Sequence, residues 1–351
     1  MGALEQRCGT LLSWLRNGSP RGSTYLALDP ARVHPRPSEQ AFASRAHYFK
    51  VRVHEMRLSH RRRWFATYDP LVVTTTGFRY DGEPRTVPFT IGPALLHEHV
   101  SDVPGGFRFG DITVAGPHPY QGGVLEVTLV LYRLRADHAV RRLLSMVDSC
   151  SRLADVTASI GTHLKVASLV LDGLDHVLGL EESVPLLGHR IELDPVDGFT
   201  AGHHVLALEG ELDPETLWVR DNRLLRGRTE DDARPVDDAD YVLYSVAQDV
   251  ERNDVEQLPW FRPLWARVVR EAGVPSEDAW RGAKAHMAVL AEMLELSPDL
   301  TRDQARRLRE ELVVDLRHLH DRALELAELG PADENGEFGA LRRHTVEILD
   351  L

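Results

Sequence analysis

Two histidines in the stretch LLHEHV, at residues 97 and 99, have the spacing of a pair of metal ligands. In an extended segment alternate side chains share a face, so His97 and His99 would point the same way and Glu98 away from them. A catalytic zinc centre needs a third protein ligand. The sequence offers one only elsewhere, at His118, His203 or Asp111. The pair predicts either a metal-dependent, hydrolase-like enzyme or a polar rim on the protein surface.

A run of arginines flanked by aromatic residues is the sharpest local feature of the chain. It consists of Arg61, Arg62, Arg63, Trp64 and Phe65 and follows His60. Guanidinium groups pair with phosphates and carboxylates, and aromatic rings anchor at interfaces. The run therefore predicts an anionic partner, either a membrane surface or an acidic protein face. The alternative is a charged hairpin tip whose aromatic rings point to the core.

Four carboxylates follow a predicted strand in the stretch QDVERNDVEQ, residues 248–257. They are Asp249, Glu251, Asp254 and Glu256. Carboxylate oxygens bind hard cations and act as general bases, so one interpretation is a functional cluster at the end of a sheet. The other is a solvated loop or a first helical turn, where acidic residues suit the helix dipole.

Several catalytic signatures are absent from the sequence. None of the three lysines follows glycine and precedes Ser or Thr, which excludes a P-loop. The Gly-x-Ser-x-Gly elbow of serine hydrolases and the Cys-x-x-Cys pair of zinc ribbons are also missing. No cofactor is required by the sequence, and a non-enzymatic role is favoured.

Charge is distributed unevenly along the 351 residues. Residues 1–70 hold 12 Lys and Arg against 5 Asp and Glu, a balance of +7, and the remainder carries −20. An acidic bulk repels phosphates, so nucleic acid is not an expected partner. Two cysteines, Cys8 and Cys150, cannot form a disulfide framework, and we expect a reducing cytoplasm.

Hydrophobic periodicity divides the chain into strands and helices. Alternation with a two-residue period marks strands at residues 48–54, 71–76, 87–91, 107–114 and 124–132, and shorter strands at 188–193, 203–209, 217–225 and 241–247. Helical spacing marks residues 140–154 and most of the last hundred residues. Residues 164–178 are apolar on most sides and predict a buried helix. Ser297-Pro298-Asp299 breaks the C-terminal helical pattern, which predicts a helical hairpin.

The stretch FKVRVHEMRLSHRRRWFATYDPLVV resembles the opening of a C2-type β-sandwich. The carriers are the alternating Phe49, Val51 and Val53 and the later Asp-Pro-Leu-Val at residues 69–72, where Leu71 stands in place of the family's aromatic residue. The resemblance covers residues 47–135. It implies a sandwich whose loops bind calcium, lipid or protein. Only Asp69 matches the family's ligands, with Asp102 and Asp111 as positional candidates.

The sequence thus predicts an α+β protein: an N-terminal antiparallel β-sandwich, a mixed α/β middle segment and a C-terminal helical hairpin. The expected divisions are an irregular arm over 1–44, the sandwich over 45–135, the mixed domain over 136–265 and the hairpin with its tail over 266–351. The expected function is that of a binding or scaffold protein that contacts a protein partner or a second copy. The alternatives are a metal-dependent enzyme using His97 and His99 and a binder of anionic membranes.

Overall fold

The computed structural model describes residues 22–59, 62–63, 66–91, 106–135 and 184–328. It confirms the α+β class, because this part of the chain holds several antiparallel sheets followed by three C-terminal α-helices. The helices predicted over residues 140–154 and 164–178 lie outside the described residues, as do Cys8 and Cys150.

Sheet 1 combines strands from distant parts of the sequence. Its strands, in spatial order, are β1 (Ser23–Ala27), β10 (Gly202–Leu208), β14 (Tyr241–Asp249), β3 (Tyr48–Arg57) and β7 (Gly106–Pro119), all paired antiparallel. Strand β1 lies within the segment that the sequence predicted as an irregular arm. The predicted boundary at residue 136 falls between strands that share this sheet.

Sheet 2 is small and lies close to one face of sheet 1. It runs in the order β13 (Arg234–Pro235), β12 (Arg223–Arg226), β11 (Leu217–Arg220) and β2 (Val33–His34), and only the β11–β2 pair is parallel. Asp221 and Asn222 connect β11 to β12 with positive φ angles of 51° and 59°. Such angles produce a tight hairpin turn, so the single strand predicted over 217–225 is two strands.

Sheet 3 is built from one long strand and its neighbours. Its members are β4 (Arg62–Arg63), β5 (Ala66–Tyr80), β6 (Glu83–Ile91), β8 (Leu125–Arg135) and β9 (Val184–Leu193). Strand β5 pairs with β4, β6 and β8, and β8 pairs with β9. The β5–β6 turn is Asp81-Gly82, with φ angles of 53° and 77°. These angles match the hairpin turn that this dipeptide predicts.

Two hydrophobic clusters account for the burial of sheet 1 on both faces. One combines residues of β3, β10 and β14 with residues of sheet 3, including a contact of 5.0 Å between the ring centroids of Phe49 and Phe78. The other packs Val205, Tyr241 and Leu243 against sheet 2. Strand β3 is buried at nearly every position, although its sequence alternates as a half-buried strand would.

The chain divides into two compact units. The first comprises Met1–Val255 and Pro298–Thr301, and the second comprises Glu256–Ser297 and Arg302–Leu351. The described helices of the second unit are α1 (Phe261–Ala272), α2 (Glu277–Leu296) and α3 (Arg302–Glu328). Ser276 caps α2 by accepting a hydrogen bond from the Ala279 N–H, and α3 begins directly after Thr301.

Residues 298–301 are held by buried polar groups of the first unit. The Tyr80 hydroxyl donates to the Asp299 carboxylate at 2.8 Å, and the Thr301 N–H donates to the Tyr48 hydroxyl at 2.8 Å. Arg252 donates to the carbonyl oxygen of Asp299 at 3.0 Å. Burial raises the pKa of Asp299, and the hydrogen bond from Tyr80 opposes that shift.

Candidate functional site

The arginine run begins a short hairpin of sheet 3. Arg62 and Arg63 form β4 and pair with Thr67 and Ala66 at the start of β5. Residues 60, 61, 64 and 65 and the side chains of Arg62 and Arg63 lie outside the described residues. The anionic partner of this run stays a prediction.

The histidine pair at residues 97 and 99 also lies outside the described residues, as do Asp102 and the side chains of Asp69 and Asp111. His118 is fully buried and stacks on Phe78 with ring centroids 4.9 Å apart. In the described part of the chain, no group of three or more His, Cys, Asp or Glu side chains is arranged to hold a metal ion.

The acidic stretch distributes its carboxylates among separate basic partners. Asp249 contacts Lys50 at 2.5 Å, and Asp254 receives two hydrogen bonds from Arg252, at 2.6 and 3.1 Å. Glu251 is exposed. Glu256 belongs to the second unit, where its carboxylate lies 3.9 Å from Arg262. Since the Arg252 side chain is fully buried, its contact with Asp254 contributes to the fold.

Polar side chains cross one face of sheet 1 in a row. Strand register places His203 of β10 opposite Ser245 of β14, Ser245 opposite Arg52 of β3, and Arg52 opposite Thr113 of β7. Residues directly opposite one another in antiparallel strands point to the same face. We refer to these four residues, with His54, as the polar row.

His54 connects two strands of the polar row. Its Nε2 atom and the Ser245 hydroxyl share a buried hydrogen bond of 2.8 Å, and its ring stacks on that of His203 with centroids 5.1 Å apart. Ser245 and His54 are buried, while Arg52, His203 and Thr113 are partly exposed. The row therefore brings a guanidinium group, two hydroxyls and two imidazoles to one partly accessible surface.

His204, the neighbour of His203, points to the opposite face, as expected for adjacent residues of a strand. It stacks on Tyr244 with centroids 5.2 Å apart and lies near Tyr25 at 6.2 Å. Burial lowers the pKa of His204 to about 4. The imidazole is therefore neutral at pH 7, and the two adjacent histidines belong to different surroundings.

In the second unit, α2 carries an apolar stripe with heptad spacing. The stripe comprises Gly282, His286, Val289, Met293 and Leu296, separated by four, three, four and three residues. We refer to Val289, Met293 and Leu296 as the α2 seam. These three side chains are 47%, 36% and 71% exposed.

The first part of the same stripe is covered by α1. A Cβ atom at Gly282 would lie 2.2 Å from a carboxylate oxygen of Glu271, and His286 contacts that carboxylate at 3.1 Å. A separate stripe on α2, containing Met287 and Leu290, is buried. The helix thus presents two apolar stripes, and the second is exposed over its last two turns.

A comparison of the sequence with protein-family models and with curated proteins finds no match. Among the described residues, no helix combines the length and the apolar character that a bilayer crossing demands.

Sequence reasoning found neither the polar row nor the α2 seam. The row joins Arg52 to Ser245, which are far apart in the sequence, and only the pairing of β3 with β14 brings them together. The seam had a local signal, the 4-3-4-3 spacing from residue 282 to 296. The residues of this pattern alternate with those of the buried stripe that includes Ala283 and Met287. Only the buried stripe was therefore recognised from the sequence.

Proposed function

We propose that the protein is a non-enzymatic binding or scaffold protein that assembles with a second copy of itself. The observation that carries this proposal is the α2 seam, an exposed row of three aliphatic side chains on an otherwise amphipathic helix. Exposed apolar rows of this kind mark protein interfaces, and heptad spacing fits a helix as the partner.

A second copy is the occupant that the chain itself favours. In a two-fold symmetric dimer the same patch faces itself, so an apolar seam meets an equally apolar surface. The charge balance of +7 over residues 1–70 and −20 over the remainder adds an attraction between unlike halves of two copies. Burial of an aliphatic side chain that was about half exposed contributes roughly 1 kcal/mol.

The shared core of sheets 1 and 3 supports a β-sandwich as the framework of the first unit. Side chains from β3 and β14 of sheet 1 and from β5 and β8 of sheet 3 belong to one hydrophobic cluster. Sandwiches present loops and faces on a rigid framework, and many of them serve as binding modules. This arrangement is compatible with the C2-type resemblance, and calcium binding is not part of the proposal.

Light scattering coupled to size exclusion tests the assembly. We expect the wild-type chain to form dimers at micromolar concentration and low salt, and to dissociate partly at high salt because the charge attraction is screened. The variant V289E/M293E should be monomeric, since a carboxylate in an apolar interface is costly.

The matched control is V314E on α3. Val314 is 48% exposed, nearly the same as Val289, and lies outside the seam. This variant should dimerise as the wild type does. A chain that is monomeric at both salt concentrations, or a V289E/M293E variant that dimerises normally, contradicts the proposal.

A further inference from the structure

We propose that residues 38–47 form an acid-sensitive strap, which covers part of the hydrophobic cluster shared by sheets 1 and 3 and is released when His47 takes up a proton. We refer to residues 38–47 as the strap. The inference is independent of the proposed assembly, because the strap belongs to the first unit and contains none of the residues of the α2 seam.

An aromatic side chain of the strap packs into that cluster. The ring of Phe42 stacks on Phe199 with centroids 4.7 Å apart, and it meets Tyr120 edge-on at 5.7 Å. The backbone adds hydrogen bonds from the Phe42 N–H to the Phe199 carbonyl at 3.2 Å and from the Arg45 N–H to the Tyr120 carbonyl at 2.6 Å. Phe42 and Tyr120 are both buried. Release of the strap would therefore bring aromatic surface into contact with water.

Gln248 of β14 holds the first half of the strap. Its Oε1 atom accepts a hydrogen bond from the Ser38 hydroxyl at 2.9 Å, and its Nε2 atom donates toward the carbonyl oxygens of Gln40 and Ala41 at 3.2 and 3.4 Å. The same Nε2 atom lies 3.1 Å from Nδ1 of His47. The N–H side of this amide therefore faces the imidazole.

A hydrogen bond from Ala43 determines the protonation state of His47. The backbone N–H of Ala43 lies 3.0 Å from His47 Nδ1, and a backbone N–H can only donate. Nδ1 must therefore present its lone pair, so the imidazole is neutral and carries its proton on Nε2. A proton on Nδ1 would face the Ala43 N–H and the amide nitrogen of Gln248, neither of which can accept it.

The titratable groups around the strap leave His47 as the group that responds to mild acid. His47 is buried, and burial lowers its pKa. Burial also raises the pKa of Tyr120, with a smaller contribution from the Asp194 carboxylate, so this phenol stays neutral at pH 7 and below. On the strap itself, Glu39 belongs to an exposed ion pair and Arg45 is exposed.

The charged pair on the adjoining strands points away from the strap. Lys50 of β3 contacts Asp249 of β14 at 2.5 Å. Strand register places Gln248 opposite Phe49, and successive side chains of a strand alternate between faces. Lys50 and Asp249 therefore lie on the opposite face of sheet 1 from Gln248 and do not compensate a charge on His47.

Acid therefore favours the released strap. His47 has an ordinary pKa of 6.5 and a lower pKa when the strap is closed, so the closed strap binds fewer protons than the released one. The stability that this imidazole gives to the closed strap is fully present above pH 6.5. It is lost as the pH falls through the lowered pKa.

The test is amide hydrogen exchange of the full chain, measured by mass spectrometry at pH 7.5 and pH 5 and corrected for the intrinsic exchange rate. In the wild type, the protection of the strap should fall by about tenfold or more at pH 5, and the protection of the buried strand β8 should fall less. In H47N, an amide oxygen can replace Nδ1 as the acceptor but cannot take up a proton. The protection of its strap should therefore be the same at both pH values.

The control is H318N, which removes an exposed histidine from α3 and should respond to acid as the wild type does. If circular dichroism shows that H47N does not fold, nitrogen NMR of labelled histidines in the wild type replaces it, and His47 should carry its proton on Nε2 at pH 7.5. A proton on Nδ1, or an acid response that H47N retains, overturns the proposal. So does a strap whose protection is independent of pH, or an equal loss of protection in β8.

Discussion

His204 makes the first unit sensitive to acid. Its pKa is lowered from 6.5 to about 4 by burial against Tyr244. A base whose pKa is lower in the folded state binds fewer protons there than in the unfolded chain. Its contribution to stability is therefore present above pH 6.5 and is lost as the pH falls toward 4.

The size of the effect follows from these two pKa values. Between pH 7.5 and pH 5, the linkage relation gives a loss of about 2 kcal/mol in the free energy of unfolding from this residue alone. In the variant H204F, an aromatic ring still stacks on Tyr244 but cannot accept a proton. The decline in stability between pH 7.5 and 5 should become smaller by about 2 kcal/mol.

The assay is urea denaturation at several pH values, followed by amide hydrogen exchange of β10. The control is Y244F, which keeps His204; burial raises the pKa of Tyr244 above its ordinary value, so this phenol does not titrate in the range. Y244F should decline with acid as steeply as the wild type. If H204F also keeps the full decline, the imidazole is not the group that titrates, and the reasoning from burial is refuted.

Two further predictions concern backbone and buried charge. Gly116 has φ of 94°, and a Cβ atom at this position would lie 2.3 Å from a carbonyl oxygen of the neighbouring strand. In thermal melts, G116A should therefore lower the free energy of unfolding by roughly 3 kcal/mol or more. The control G82A, at φ of 77° with open space around it, should lower it by about 1 kcal/mol. R252M should lower the free energy of unfolding by about 3–5 kcal/mol, because it leaves Asp254 without its buried partner. R190M removes an exposed ion pair and should lower it by under about 1 kcal/mol. Equal losses of stability in urea titrations of the two variants would contradict this account.

Local signals in the sequence located most strands of the described chain. The Asp81-Gly82 turn and the alternation around Val51 predicted β3, β5 and β6, because turn chemistry and side-chain period act over a few residues. Strand β1 was missed, since its five residues follow a segment rich in glycine and proline. The turn at Asp221-Asn222 had a readable signal in its residue types, but the apolar residues on both sides suggested one continuous strand.

The partners of each strand could not be predicted in the same way. Pairing of β3 with β14 depends on how the strands bury their apolar faces in two hydrophobic clusters. Residues from many parts of the first unit contribute to these clusters, so no local stretch of sequence determines the pairing. The polar row is a product of that register, whereas the α2 seam is a local pattern. A local pattern such as the α2 seam can be recognised in the sequence, whereas the polar row can be recognised only once the strand pairing is known.

The membership of residues 298–301 in the first unit has a consequence for deletion mapping. Removal of everything after residue 255 would also delete the groups that Tyr48, Tyr80 and Arg252 contact in that loop. Such a truncated chain would lose part of its own interior together with the helices. A phenotype of that deletion therefore reports damage to the sheets as well as loss of the helical segment, and point substitutions separate the two.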